Sequence, residues 1–207
     1  MVLINYGVLA SLIVLILNVL LLTGWFKTII KNMGKRKTIS NYLTLTLLLF
    51  FINISITSSW TINVGGFILP LIGTFYLLLK EEEKIYILSS ILLLGVIYFL
   101  VKEIVYIEPI LLIGNDIIQS SIIISIVVII IGTRIENQII IALGGILFGD
   151  ILFNLNHREV LVQIAFGNAL TRDIIWLSLL QIIVFKSLIY EISIFLKKLF
   201  LILIRIR

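Results

Sequence analysis

The sequence predicts an all-α fold, a polytopic transmembrane bundle of about seven helices with the N-terminus outside and the C-terminus in the cytoplasm. Three observations carry that expectation: an apolar composition, apolar runs of spanning length between polar turns, and basic residues that alternate in number from loop to loop. Of the 207 residues, 61% are hydrophobic and 13% are charged, and the mean hydropathy is +1.24, far outside the range of soluble domains. A soluble domain would have to cover that apolar surface with 16 basic and 11 acidic side chains, and would expose large aggregating patches. The bilayer is the solvent that suits such a chain. Its length leaves room for roughly six to eight spans of about 20 residues and no separate soluble domain.

The whole chain, 1–207, therefore reads as a single transmembrane domain, and its spans can be taken in order. The first, 6–26, carries Trp25 where an aromatic belt residue would sit. It lacks a basic leader and a small-residue cleavage site, so it reads as a retained helix and not a signal peptide. A loop with Lys27, Lys31, Lys35, Arg36 and Lys37 follows, free of acidic residues. The second span is 41–60. A tight connection leads into the third, 64–79, where Pro70 predicts a kink, since a bilayer helix tolerates proline if neighbours satisfy the freed carbonyl. After the charged turn 80–84 comes the fourth span, 85–101. The polar break 102–116 holds Glu103, Glu108 and Pro109, with a short apolar piece, 110–113, expected at the interface. The fifth span is 117–132 and the sixth 139–153. The stretch 154–173 is the longest irregular one, with a short surface helix expected over 159–166. The seventh span, 174–195, opens near Trp176. The tail 197–207 interleaves apolar and basic residues and reads as an interfacial anchor on anionic lipid.

Orientation follows from the loops. Seven spans place thirteen Lys and Arg residues on one side and only Lys102, Arg158 and Arg172 on the other. The basic side is the cytoplasm. Dropping or adding a span in the second half scrambles this agreement, although a count of six or eight would still leave the first loop and the tail inside. The net charge of +5 is thus a topology signal and not a nucleic-acid footprint. The absence of cysteine excludes disulfides, thiolate nucleophiles and lipobox acylation, and a single histidine makes no metal site.

Few residues are costly where they sit. Asp150 follows Gly149 near the end of the sixth span, and a carboxylate at mid-membrane costs roughly 2.5–3.5 kcal/mol. Gly145 and Gly149 stand at the small-xxx-small spacing that lets another helix approach. Two readings follow: a packing face ending in an interfacial acid, or an acid serving as ion-pair partner or substrate contact. The Gly-x-Gly-Asp motif of intramembrane aspartyl proteases would need glycine at Leu147, so it does not apply. Glu103, Glu108, Asp116, Glu159 and Asp173 gather on the outer side with Lys102, His157, Arg158 and Arg172, as a mixed-charge site or as solvated loop charges. Lys186 would snorkel along its own stem, and Asn18 and Asn53 would bond between helices. No Walker A, dinucleotide fingerprint, HExxH or GxSxG is present.

The order of landmarks resembles the YphA-like membrane proteins of endospore-forming Firmicutes. The landmarks are the apolar first helix with its basic loop from Lys27 to Lys37, Ser58-Ser59, and Gly65-Gly66-Phe67-Ile68-Leu69-Pro70-Leu71. Later come Gly144-Gly145, Gly149-Asp150, Gly167 and Asp173. The chain departs in being somewhat longer and in its basic tail after Phe195. The resemblance implies a sporulation-associated membrane role without established enzymatic activity, and supplies no catalytic residue or cofactor.

The expectation is a non-enzymatic, multi-pass protein of the cell membrane with no cofactor and no metal. Its partners would be anionic lipid at loop 27–37 and tail 197–207, and other membrane proteins, with a role in sporulation or envelope maintenance. The alternative is a small-solute transport component, such as the substrate-binding subunit of an energy-coupling-factor vitamin transporter, with its pocket at Asp150, Asp173 and the loop from Asn154. The residues to watch are Asp150, Gly149, Gly145, Asp173 and Pro70.

Overall fold

The computed structural model describes residues 7–25, 35–107, 115–161 and 163–205. Lys27 and Lys31 of the basic loop, and Glu108, Pro109, Gly114 and the segment 110–113, lie outside the described residues. Seven α-helices are described: α1 Val8–Thr23, α2 Arg36–Leu49, α3 Leu69–Leu78, α4 Lys84–Ile107, α5 Asp116–Ile131, α6 Ile135–Asn156 and α7 Ala169–Arg205. A π turn, Val64–Ile68, runs directly into α3. By length and composition, α4 and α6 can cross a membrane, while 8–23, 64–80 and 116–131 are shorter apolar helices. At about 1.5 Å per residue, α4 and α6 reach about 36 and 33 Å, against a hydrocarbon layer of about 30 Å.

Helix α6 is the axis of the bundle. It is apolar on every side, as a fully enclosed helix must be, and between Glu136 and Asp150 only Phe148 is not buried. Helices α3, α4, α5 and α7 pack against it, α1 lies between α2 and α7, and α5 packs on α7. The outward faces are also apolar: Val8, Leu12, Leu15, Val19 and Leu22 along α1, and Leu88, Leu92, Val96 and Leu100 along α4, are all exposed. Ile85 is 83% exposed and Ile130 77%. Apolar residues inside and out, at helical spacing on both faces, fit a bundle solvated by lipid.

The fold is not purely helical, and the second expected span needs correction. Helix α2 stops at Leu49, and the chain continues as β1 Asn53–Ser55 and β2 Trp60–Asn63, an antiparallel pair. The reason is periodicity: Asn53-Ile54-Ser55-Ile56-Thr57 alternates polar and β-branched apolar residues, which is a strand pattern and not a helix pattern. A third strand, β3 Ile164–Phe166, pairs in parallel with β2, Trp60 opposite Ile164 and Ile62 opposite Phe166. The surface helix expected over 159–166 is thus replaced by a turn at 157–160 and by β3. Asn53 sits on β1 rather than in a helix, and its side chain accepts from Asn63 Nδ2 at 2.8 Å. The same Asn63 amide donates to the Phe50 carbonyl at 2.8 Å, and its oxygen accepts from Gly66 N at 2.6 Å. One asparagine therefore joins the end of α2, the hairpin and the π turn.

Pro70 is buried in the first turn of α3, where a missing N–H removes no helical bond of α3 itself. The irregularity expected around it takes the form of the π turn just before it, not of a kink within an α-helix. Asn18 bridges α1 and α2, accepting from Ser40 Oγ at 2.7 Å and donating to Thr44 Oγ1 at 2.9 Å. The tail from 197 is not a separate segment: with no glycine or proline to interrupt it, α7 continues as one helix of 37 residues to Arg205.

Candidate functional site

Four glycines set the geometry around Asp150. A Cβ on Gly149 would come 2.5 Å from the Gly95 carbonyl and 2.8 Å from the Tyr98 ring, and one on Gly145 2.6 Å from the Leu94 side chain. A Cβ on Gly95 would collide with the Phe148 ring, and one on Gly144 would lie 2.9 Å from Ile91. Gly145 and Gly149 thus let the backbone of α6 lie directly on α4. That approach carries Asp150, one residue further on, against the buried stripe of α4.

The stripe runs Ile87, Ile91, Leu94, Tyr98, Lys102. Lys102 Nζ donates to Asp150 Oδ1 at 2.8 Å, with the carboxylate 0% and the lysine side chain 8% exposed. Thr171 Oγ1, in the first turn of α7, donates to the same oxygen at 2.8 Å, and Gly167 N donates to Oδ2 at 3.0 Å. Gly167 adopts φ +64, a left-handed conformation open chiefly to glycine, and a Cβ there would lie 2.6 Å from the Gly66 carbonyl carbon. The ammonium also lies 4.4 Å from the centre of the Phe153 ring, a cation–π contact. Asp150 therefore ties together α4, its own helix α6, and the β3–α7 connection.

Asp173 does a related task for another element. Its Oδ2 accepts from Gly7 N at 2.7 Å and its Oδ1 from Ala10 N at 2.6 Å. These are free N–H groups at the start of α1, which has no side-chain cap of its own. A carboxylate from α7 thus acts as the N-cap of α1, with favourable alignment to the helix dipole. Helix α7 is capped in turn by Asn168, whose Oδ1 accepts from Thr171 N at 3.0 Å. Next to it, Arg172 donates to the Phe50 carbonyl at 2.6 Å and lies over the Phe50 ring.

The mixed charges expected together on one side separate into pairs. Glu103 meets His157 at 2.8 Å and accepts from Asn156 at 3.0 Å, and the imidazole packs against both the Tyr106 and Phe153 rings, which also touch each other. Arg158 and Glu159 are exposed and make no ion pair among the described residues. Among those residues, no three of His, Asp and Glu cluster closely enough to hold a metal ion.

The partners of Asp150 that sequence reasoning missed are Lys102, Thr171 and Gly167. Lys102 is legible in the sequence: 87, 91, 94, 98 and 102 continue one face of a helix past residue 101, the expected end of the fourth span. Thr171 and Gly167 had no local signal, because they are brought in by the pairing of β3 with β2. Chemically, the arrangement is closed. Both carboxylate oxygens accept hydrogen bonds from the protein, and Asp150 is fully buried.

A family model described as YphA-like integral membrane protein matches residues 25–202. Comparison with the curated proteins and with the solved structures returned no match.

Proposed function

We propose the following role for this chain, which belongs to the family of YphA-like integral membrane proteins: it is a non-enzymatic, multi-pass protein of the cell membrane that acts through lipid and protein partners. The observation that carries this reading is the self-contained state of its most polar buried centre. Lys102, Thr171 and Gly167 use the acceptors of Asp150, and α1 uses those of Asp173, so both acids serve as locks between helices. A solute carrier with its pocket at these residues would need at least one of them free, which favours the first reading over a transport component. The proposed orientation puts the N-terminus outside and the lysine-rich end in the cytoplasm; the seven-span assignment, which gives that side thirteen of the 16 basic residues, supports it. Anionic lipid would then meet the basic loop and the tail.

The further proposal of a sporulation or envelope role is what the resemblance of the sequence landmarks implies. The test is a chromosomal deletion scored for spore yield and for envelope integrity in vegetative cells, with affinity purification of the tagged full chain from both stages. Expression confined to sporulation, a fall in spore yield and a co-purifying membrane protein are expected. Steady vegetative expression with normal spore yield would overturn the sporulation role. Co-purification with an energising transporter module and a bound small solute would overturn the non-transport reading.

A further inference from the structure

A cavity of about 550 Å³ lies between α1, α2, α3, α6 and α7, at the end of the bundle away from the sheet. Its inner wall is apolar and buried, with Leu143, Trp176 and Leu179 among its members. Its exposed members include Ile72 and Tyr76, and two lysines, Lys35 and Lys80. Lys80 is held in place by Tyr76, donating to its hydroxyl at 2.7 Å and lying 4.0 Å over its ring. Neither lysine pairs with a carboxylate among the described residues: the nearby Glu81 is engaged by Arg134 at 3.1 Å. The first turn of α2, directly after Lys35, contains no acid either. Glu82 and Glu83, exposed in the turn after Lys80, make no ion pair with either lysine among the described residues. The cavity is thus amphipathic, an apolar chamber with two lysines free of carboxylate partners at its mouth.

We infer that this cavity binds an anionic phospholipid from the leaflet on the lysine-rich side, with an acyl chain inside and the headgroup phosphate between Lys35 and Lys80. The apolar volume suits a hydrocarbon chain, and the two ammonium groups complement a phosphate that carries a full negative charge. A zwitterionic lipid fits the same chamber but places its own cation beside the lysines, so the site discriminates by charge. The inference deepens the proposed lipid partnership, and rests on that reading only for the identity of the leaflet.

The test uses the full chain purified in neutral detergent. Trp25 and Trp60 are changed to Phe, so that Trp176 alone reports from the wall of the cavity. Phosphatidylglycerol or phosphatidylcholine with brominated acyl chains is then titrated at low molar ratio, and bound lipid is counted by native mass spectrometry. Saturable quenching of Trp176, one retained phosphatidylglycerol, and a preference over phosphatidylcholine of about thirtyfold are expected for two lysines at a lipid surface. In the K35Q/K80Q variant, whose changes lie at exposed positions, the preference should fall to within about threefold of unity. Equal binding of the two lipids, an unchanged preference in K35Q/K80Q, or no saturable quenching would overturn the proposal. Because detergent removes sidedness, these outcomes do not depend on the orientation, which impermeant labelling of Lys35 tests by itself.

Discussion

Removing one partner of the Lys102–Asp150 pair should destabilise the protein far more than removing both. Lys102→Met leaves a carboxylate with 0% exposure without its counter-charge, at a cost of about 3–5 kcal/mol. Asp150→Leu strands the ammonium and in addition leaves the Thr171 hydroxyl and the Gly167 N–H without an acceptor, which adds about 1–3 kcal/mol. The double variant carries no buried charge, and only the two orphaned donors remain, for about 1–3 kcal/mol. The order of destabilisation is therefore Asp150→Leu, then Lys102→Met, then the double. Unfolding in mixed micelles, followed by tryptophan fluorescence, reads all three. A double variant whose loss lies within about 0.5 kcal/mol of the sum of the singles would refute the reasoning, since independent sites add to that precision.

Asp173→Ala removes both acceptors at the start of α1 and should cost about 1–2 kcal/mol, with faster amide exchange confined to 7–10; unchanged exchange there would contradict the capping role. Gly149→Val forces its Cβ against the Gly95 carbonyl and should cost about 1–3 kcal/mol, read as a lower unfolding midpoint, whereas Phe148→Leu should cost less because it pushes no new atom into that backbone approach. Asn18→Leu removes the bonds to Ser40 and Thr44 and should cost only about 0.6 kcal/mol, a small shift in the same assay.

Helices were legible where a single period persists. The apolar runs of α4, α5 and α6 carry it over many residues, and the spacing of the glycines at 145 and 149 by itself signals a close helix approach. Two kinds of feature were not legible. The strand pattern from Asn53 to Asn63 is embedded in apolar sequence, so hydropathy alone carried α2 onward to Trp60, although alternation was present in the residues themselves. The destination of Asp173 was hidden for a different reason: its donors are N–H groups 163 and 166 residues away, and backbone groups leave no trace in a sequence. Asp150 lies between these cases. Its lysine continued a visible helical face, whereas Thr171 and Gly167 reach it only because β3 docks beside β2.

The proposed membrane role has the chain crossing the bilayer with its lysine-rich end on the inside and its sheet end on the outside. The chain has no cysteine, so single cysteines at Lys35 and at Arg158, both exposed, can be labelled without any background substitution. With a membrane-impermeant maleimide on intact cells, Arg158→Cys should react directly and Lys35→Cys only after permeabilisation. Labelling of both from the same side, or the reverse pattern, would contradict the account.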